Sequence, residues 1–347
     1  MRKFIPEWAP QEAVLMALPN NNTDWAYILH EAQLQYARII ETLTKEGVRV
    51  VLLCDDIEEA EVLLKNSVIE NVTFINIPYN DTWTRDYGPI SVIKDDTLRA
   101  LDFGFNGWGL KFASDKDNLV NLHLSEKFVM LPATYRNERD FVLEGGSIET
   151  DGNGTLLTTT KCLCSPNRNG GLSKKEAEEE LRHRLGVDHV LFLDYGALEG
   201  DDTDSHIDTL ARIAPDNTII FTGCRNIDDP QFEELLKMRA QLSLFRNACG
   251  EPFNLIELPL PDAIFDEDGM RLPATYANYL ITDNVIFMPT YGQPANDTLA
   301  MQTIKIAFPN HKVVGIDCTT LIKQHGSLHC ATMQIPVNLF NQAVYDK

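Results

Sequence analysis

A unit that recurs along the chain limits the fold more than any single motif does. After Trp83-Thr84-Arg85-Asp86-Tyr87-Gly88-Pro89 come an apolar run over 90–93, a turn at Lys94-Asp95-Asp96 and a second apolar run ending at Phe103. A polar, helix-compatible stretch over 115–127 follows, and the apolar residues 128–132 read as a closing strand. This order of strand, strand, helix, strand returns. Residues 145–160 read as a hairpin turning at Asp151-Gly152-Asn153-Gly154, the dipeptides a tight hairpin needs. Residues 172–186 read as a helix with Ser173 as N-cap, Glu176 three residues on and Gly186 past its end. Strand 189–194 closes that copy. A third copy runs over 205–223, a helix at 231–247 and a strand at 254–261. The fourth runs over 274–292, a helix from Pro294 to 308 and a strand at 312–317.

The last unit has only its opening, residues 326–336, whereas the start of the chain has a strand at 13–19, a helix at 25–46 and a strand at 48–54. Joined, these make a fifth copy and close a ring. The expected fold class is therefore α/β: a five-bladed α/β propeller of ββαβ units with pseudo-fivefold symmetry, one domain over 1–347. An open mixed α/β sheet is the competing arrangement, since strand–helix alternation serves both. The segments 55–82, 104–114, 161–172, 195–204, 259–274 and 318–325 read as polar, Gly/Pro-rich loops, none of them a domain linker.

A ring of this kind brings the head of each unit to the centre. Those heads carry Asp86, Glu144, the pair His206 and Asp208, and Cys330. Each has an ordinary explanation alone: a turn ion pair of Arg85 with Asp86, a turn cap at Glu144, a core His-Asp pair on one strand face, a small buried thiol. Two acids, a His with an acid, and a thiol at corresponding points of a repeat favour function instead. His329 is expected to face away from Cys330 and serve structure.

Composition narrows the partner. The formal charge of −21 disfavours nucleic acid and anionic membranes and suits a small cation. No apolar run approaches the ~18 residues of a membrane span, and no export signal is read, so a cytoplasmic protein is expected. The seven cysteines form no C-x-x-C pair, as expected of reduced thiols. A homodimer is compatible with all of this.

A thiol acts as a nucleophile in its thiolate form, which an imidazole both favours and serves by moving protons. A cysteine protease has no use for three carboxylates in the pocket. A guanidinium does, because its paired N–H donors match a carboxylate as a bidentate fork. Phosphate-cradling and nucleophile-elbow motifs are absent, and Gly326 opposes the helix that His325 and His329 would need to bind zinc.

At these residues the sequence resembles the agmatine deiminase and Porphyromonas-type peptidylarginine deiminase family, within the pentein, guanidino-group-modifying superfamily. The matching stretches are WTRDYGP (83–89), LEGGSIETDGNGTLLTT (143–159), DDTDSHID (201–208), PTYGQPAND (289–297) and GSLHCATMQ (326–334). The resemblance implies the five-bladed propeller, a Cys330 nucleophile, His206 as general acid/base, Asp86 and Asp208 clamping the guanidinium, Glu144 orienting His206, and Trp83 walling the pocket. It implies no metal and no organic cofactor. Two places depart from the common agmatine deiminase pattern: Gln324-His325-Gly326-Ser327 ahead of the Cys, and Ser205 ahead of the His, where glycines are usual. The leading expectation is an agmatine iminohydrolase yielding N-carbamoylputrescine and ammonia, with Asp202 or Asp204 meeting the distal ammonium. A peptidylarginine deiminase or a free-arginine deiminase, the latter using Arg85 or Arg212 for the carboxylate, is the alternative. A non-catalytic guanidinium binder is the reading from another class.

Overall fold

The computed structural model describes residues 2–345. They form five small sheets, each opening with an antiparallel pair and continuing with a parallel one. The first contains Arg2–Phe4, Ile90–Lys94, Thr97–Gly104 and Tyr135–Val142. The second contains Ile148–Thr150, Thr155–Thr159 and His189–Leu193. Ala211–Ala214, Thr218–Gly223 and Asn254–Pro259 make the third, and Leu280–Ile281, Val285–Thr290 and Lys312–Asp317 the fourth. In the fifth, Met333–Pro336 pairs antiparallel with Gln11–Ala17, which continues in parallel into Val50–Leu53 and Val72–Ile75. That pairing of the chain's two ends closes the five-bladed α/β propeller, as the repeat predicts.

Parallel pairing requires a crossover, and helices supply it. Between the second and third strands of blade two lies Lys174–Leu185, whose Ala177, Leu181 and Leu185 recur at helical spacing and are buried. Ser173 and Glu176 form the full capping box, and Gly186 ends the helix at φ 73°, where a β-carbon would be strained. The middle strand of each blade lies between the helices and the neighbouring inner strands, so it is apolar on both faces; Leu156 and Leu157 are both fully buried.

Three expectations fail. The apolar residues 128–132 are not the closing strand of the first unit. Val129 and Met130 donate their N–H groups to Leu124 O and wrap the end of helix Val120–Glu126, while the strand is the polar Tyr135–Val142. Hydrophobicity reports burial; strand pairing at a half-exposed edge does not need it. The segment 55–82 is no plain loop either. It contains helix Ile57–Leu63, capped by Asp56, and strand Val72–Ile75. Finally, His206 and Asp208 are not on a strand. Helical turns precede the inner strands, among them Thr84–Tyr87, Gly145–Ser147 and Ile207–Thr209. The residues at the heads of the units project from these turns. No helix among the described residues is long and apolar enough to cross a membrane.

Candidate active site

Asp86 belongs to the turn Thr84–Tyr87, and its carboxylate is held from two sides. Trp108 Nε1 donates to Oδ2 at 2.9 Å and Gly146 N to Oδ1 at 3.0 Å. Burial, with the charges of Asp208 and Glu144, pushes its pKa up to about 6 against the pull of His206. The chain reaches Trp108 through a left-handed backbone (φ 55°, ψ 47°), which turns the indole inward.

His206 caps the turn Ile207–Thr209 and is wholly buried between two acids. Nδ1 is 3.5 Å from Asp86 Oδ1 and Nε2 is 3.5 Å from Glu144 Oε2. Burial opposes a charged imidazole, but Asp86 and the Cys162 and Glu144 side chains outweigh it and raise the pKa well above that of a free His. Glu144 is itself fixed: Arg168 Nε donates to its two oxygens at 2.9 and 2.8 Å. Burial is outweighed there by His206 and Arg168, so the carboxyl stays below its ordinary range.

Cys330 projects from the turn ahead of Met333–Pro336. Its Sγ is 3.6 Å from Asp208 Oδ2 and accepts from Asn278 Nδ2 at 3.2 Å. Burial, followed by the charges of Asp208 and Asp86, holds the thiol well above its usual pKa. Asn278 also bonds Asp208 Oδ2 at 3.2 Å, and its Oδ1 accepts from the N–H groups of His329 and Cys330. His329 does not simply turn away from the cavity: its Nδ1 is 2.7 Å from Asp208 Oδ2.

The four unit heads meet beside Gly146. A β-carbon there would stand 2.7 Å from His206 Nδ1, 2.8 Å from Asp86 Oδ1 and 3.1 Å from Asp208 Oδ2. The second glycine of LEGGSIE thus leaves the room in which these groups converge. Asp86, His206, Glu144, Asp208 and Cys330, chosen from the repeat, lie in one cluster.

A narrow cavity opens from this cluster, reaching Asp86 and Cys330 and bounded by the aromatic rings of Trp83, Trp108 and Phe112. Its charged lining comprises Asp24, Asp81, Asp86 and Asp202; among the described residues neither Lys nor Arg contributes. Burial and the nearby Asp24 and Asp202 push Asp81 up to about 7, against the Thr82 N–H. Trp83 packs on Gly326, where a β-carbon would be 2.3 Å from the indole. Asp202 lines the cavity, but Asp204 does not. Its carboxylate is taken by Arg168 Nη1 (2.6 Å) and Lys111 Nζ (2.9 Å), so, contrary to the expectation from sequence, it does not face the substrate space. Arg85 and Arg212 also lie outside the lining, in a buried ion cluster with Glu7.

Sequence reasoning missed Asn278, Trp108 and Arg168. Asn278 had a signal: it stands at the head of the fourth unit, where the repeat asks for a central residue. Glu144 Oε2, Cys162 Sγ and His206 Nε2 lie within 4.8 Å of one another, close enough to share a soft divalent ion, though the Arg168 guanidinium opposes a cation there. Glu7, Glu149 and His329 are similarly close, but Arg212 already fills that centre.

Known proteins share this architecture over nearly its whole length. A Porphyromonas gingivalis structure described as a "putative arginine deiminase" is 44% identical, with a TM-score of 0.92 over 98% of this chain and 100% of its own. A variant of C. jejuni agmatine deiminase with substrate bound is 37% identical, TM-score 0.88, over 96% of each chain. A Marinomonas sp. protein named "putative agmatine deiminase" is 33% identical over 95% of this chain and 93% of its own length. Residues 3–336 match the family described as Porphyromonas-type peptidyl-arginine deiminase, and the chain belongs to that family.

Proposed function

We propose that the protein is an agmatine deiminase, hydrolysing the guanidinium of agmatine to N-carbamoylputrescine and ammonia. One observation carries the reading: the thiol of Cys330 opens on a narrow cavity whose charged lining is acid throughout. Agmatine is cationic at both ends, so each end meets carboxylate. Free arginine would carry its own carboxylate into the same acids, and the two arginines expected to receive it, Arg85 and Arg212, are engaged elsewhere. The name of the C. jejuni relative, whose structure holds substrate, supports the same choice.

The chemistry follows from the cluster. Asp86 and Asp208 grip the guanidinium from two sides and hold its carbon over the sulfur. The arriving cation offsets the carboxylate charges that keep the thiol protonated, so the thiol proton leaves to solvent and the thiolate attacks carbon. His206, protonated between Asp86 and Glu144, donates to the departing nitrogen as the C–N bond breaks. Ammonia leaves, and a covalent S-alkylthiouronium remains on Cys330. Neutral His206 then takes a proton from water, whose oxygen adds to the same carbon. The C–S bond breaks, the ureido product forms, and the second water proton returns to the sulfur, while the ammonia already released takes up in solvent the proton that the thiol gave up. Nothing in these steps changes oxidation state.

The test is release of ammonia and ureido product from agmatine, free arginine and a blocked arginyl peptide, side by side. Turnover of agmatine at least tenfold above the others is expected. Turnover of the peptide instead would favour a peptidylarginine deiminase, and no release from any would favour a guanidinium binder. Cys330→Ala should lose activity by roughly 10⁴-fold or more while still binding agmatine.

A further inference from the structure

The outer half of the cavity contains an imidazole that the chemistry above leaves unused. His325 follows the turn Leu321–Gln324 at φ 63° and ψ 0°, a left-handed conformation that residues with a β-carbon avoid. The ring lines the cavity together with Asp202, and the two side chains interact electrostatically.

Its tautomer is fixed by its neighbour. Nδ1 lies 2.7 Å from the carbonyl oxygen of Gly200, and a carbonyl only accepts, so Nδ1 bears the proton. A neutral ring then offers Nε2 as a bare acceptor, and among the described residues nothing bonds it. Donors around the mouth are largely engaged. Gln324 Nε2 bonds Asp24 O at 2.9 Å, Thr203 Oγ1 bonds Asp201 Oδ1 at 2.6 Å, and Trp108 Nε1 bonds Asp86. A group entering this mouth therefore finds acceptors: carboxylates and one imidazole nitrogen.

We propose that His325 is a specificity-determining residue, whose Nε2 takes one N–H of the distal primary ammonium of an alkylguanidine substrate while Asp202 takes its charge; this rests on the deiminase reading above. A primary ammonium has three N–H donors to divide among such partners, whereas a carboxylate or a capped amide has none suited to them. An unsubstituted alkyl tail would bring no donor to the Asp202 carboxylate or to His325 Nε2.

The decisive measurement is kcat/KM for agmatine against n-butylguanidine, which lacks the ammonium, in wild type, His325→Leu and His325→Gln. Leucine keeps the β-carbon and most of the volume but has no acceptor; glutamine restores one. The agmatine-to-butylguanidine ratio should fall roughly tenfold in His325→Leu, through KM more than kcat, and recover in part in His325→Gln. Equal losses on both compounds, or an unchanged ratio, would overturn the assignment. If wild type turns over butylguanidine but not agmatine, both readings fall. If it turns over neither, the deiminase reading falls alone. Calorimetry with 1,4-diaminobutane then decides for His325: weaker binding to His325→Leu than to wild type upholds it, and equal or absent binding overturns it.

Discussion

Two ionic clusters, a base around Glu7 and the acid-lined cavity, are linked through His329, which lies 2.7 Å from Glu7 and from Asp208, and they are built on opposite rules. At the base, Glu7 accepts from Arg85 Nη1 (2.9 Å), Arg212 Nη2 (2.5 Å) and Gln334 Nε2 (3.0 Å), and lies 2.7 Å from His329 Nε2. Arg212 also bonds Glu149 and lies 4.7 Å over the Tyr279 ring. Burial would raise Glu7, but Arg212 and Arg85 bring it well below an ordinary carboxyl. Every carboxylate there has a resident cation. In the cavity, four acids line one space, and among the described residues no Lys or Arg joins them. The base is electrostatically complete; the cavity is complete only when a cation enters.

The base should therefore answer to mutation in stability and the cavity in turnover. Arg212→Leu, at a fully buried site, removes a guanidinium, strands Glu149 and leaves Glu7 with Arg85 as its remaining cation. A loss of about 3–5 kcal/mol is expected in chemical denaturation. An unchanged midpoint would mean that the base cluster does not hold the ring together.

The cavity should show itself in the pH profile. Asp86 is raised to about 6, so its carboxylate is present above that pH and is lost as pH falls through it. Guanidinium binding needs the charged form. At pH 5 about nine-tenths of Asp86 is protonated, and kcat/KM should be roughly tenfold below its plateau. The residual activity of Asp86→Asn should lose this acid limb. An acid limb that survives there belongs to another group.

The same contrast explains what could be read from the sequence. The repeat revealed three blades nearly to their ends, the hairpin of the first and the closure of the fifth, because hairpin turns, a capping box and apolar middle strands are local signals. It misled where an element's role is set by its neighbours. Val129 and Met130 are apolar because they cover a helix end, and Tyr135–Val142 is polar because it is an outer strand. Asp86, Glu144, His206, Asp208 and Cys330 were legible as one set because each heads a unit. Arg168 and Trp108 were not, since they reach the centre from connecting segments that obey no repeat. Nor was Glu7, whose carboxylate meets groups some 80 to 330 positions away in the chain.

The smallest expected effects separate two acids that sequence alone made equivalent. Asp202 and Asp204 are two residues apart in one acidic segment, yet only Asp202 faces the cavity. Asp204 is already matched by Lys111 and Arg168, with its carboxyl held below the ordinary range as their hydrogen bonds and charges outweigh burial. It behaves as an outpost of the completed kind of cluster, bracing the guanidinium that fixes Glu144. Asp202→Asn should raise KM for agmatine roughly fivefold with kcat nearly constant, the size of one partly exposed charge contact. Asp204→Asn should change KM by no more than about twofold, and any loss should fall on kcat, through Arg168 and Glu144 to His206. Steady-state kinetics on the pair is a sharp comparison, because both substitutions remove one charge from one loop. A larger KM effect at Asp204 than at Asp202 would mean that the mouth of the cavity is read by the wrong acid, and with it that paired and unpaired carboxylates do not divide the molecule as argued.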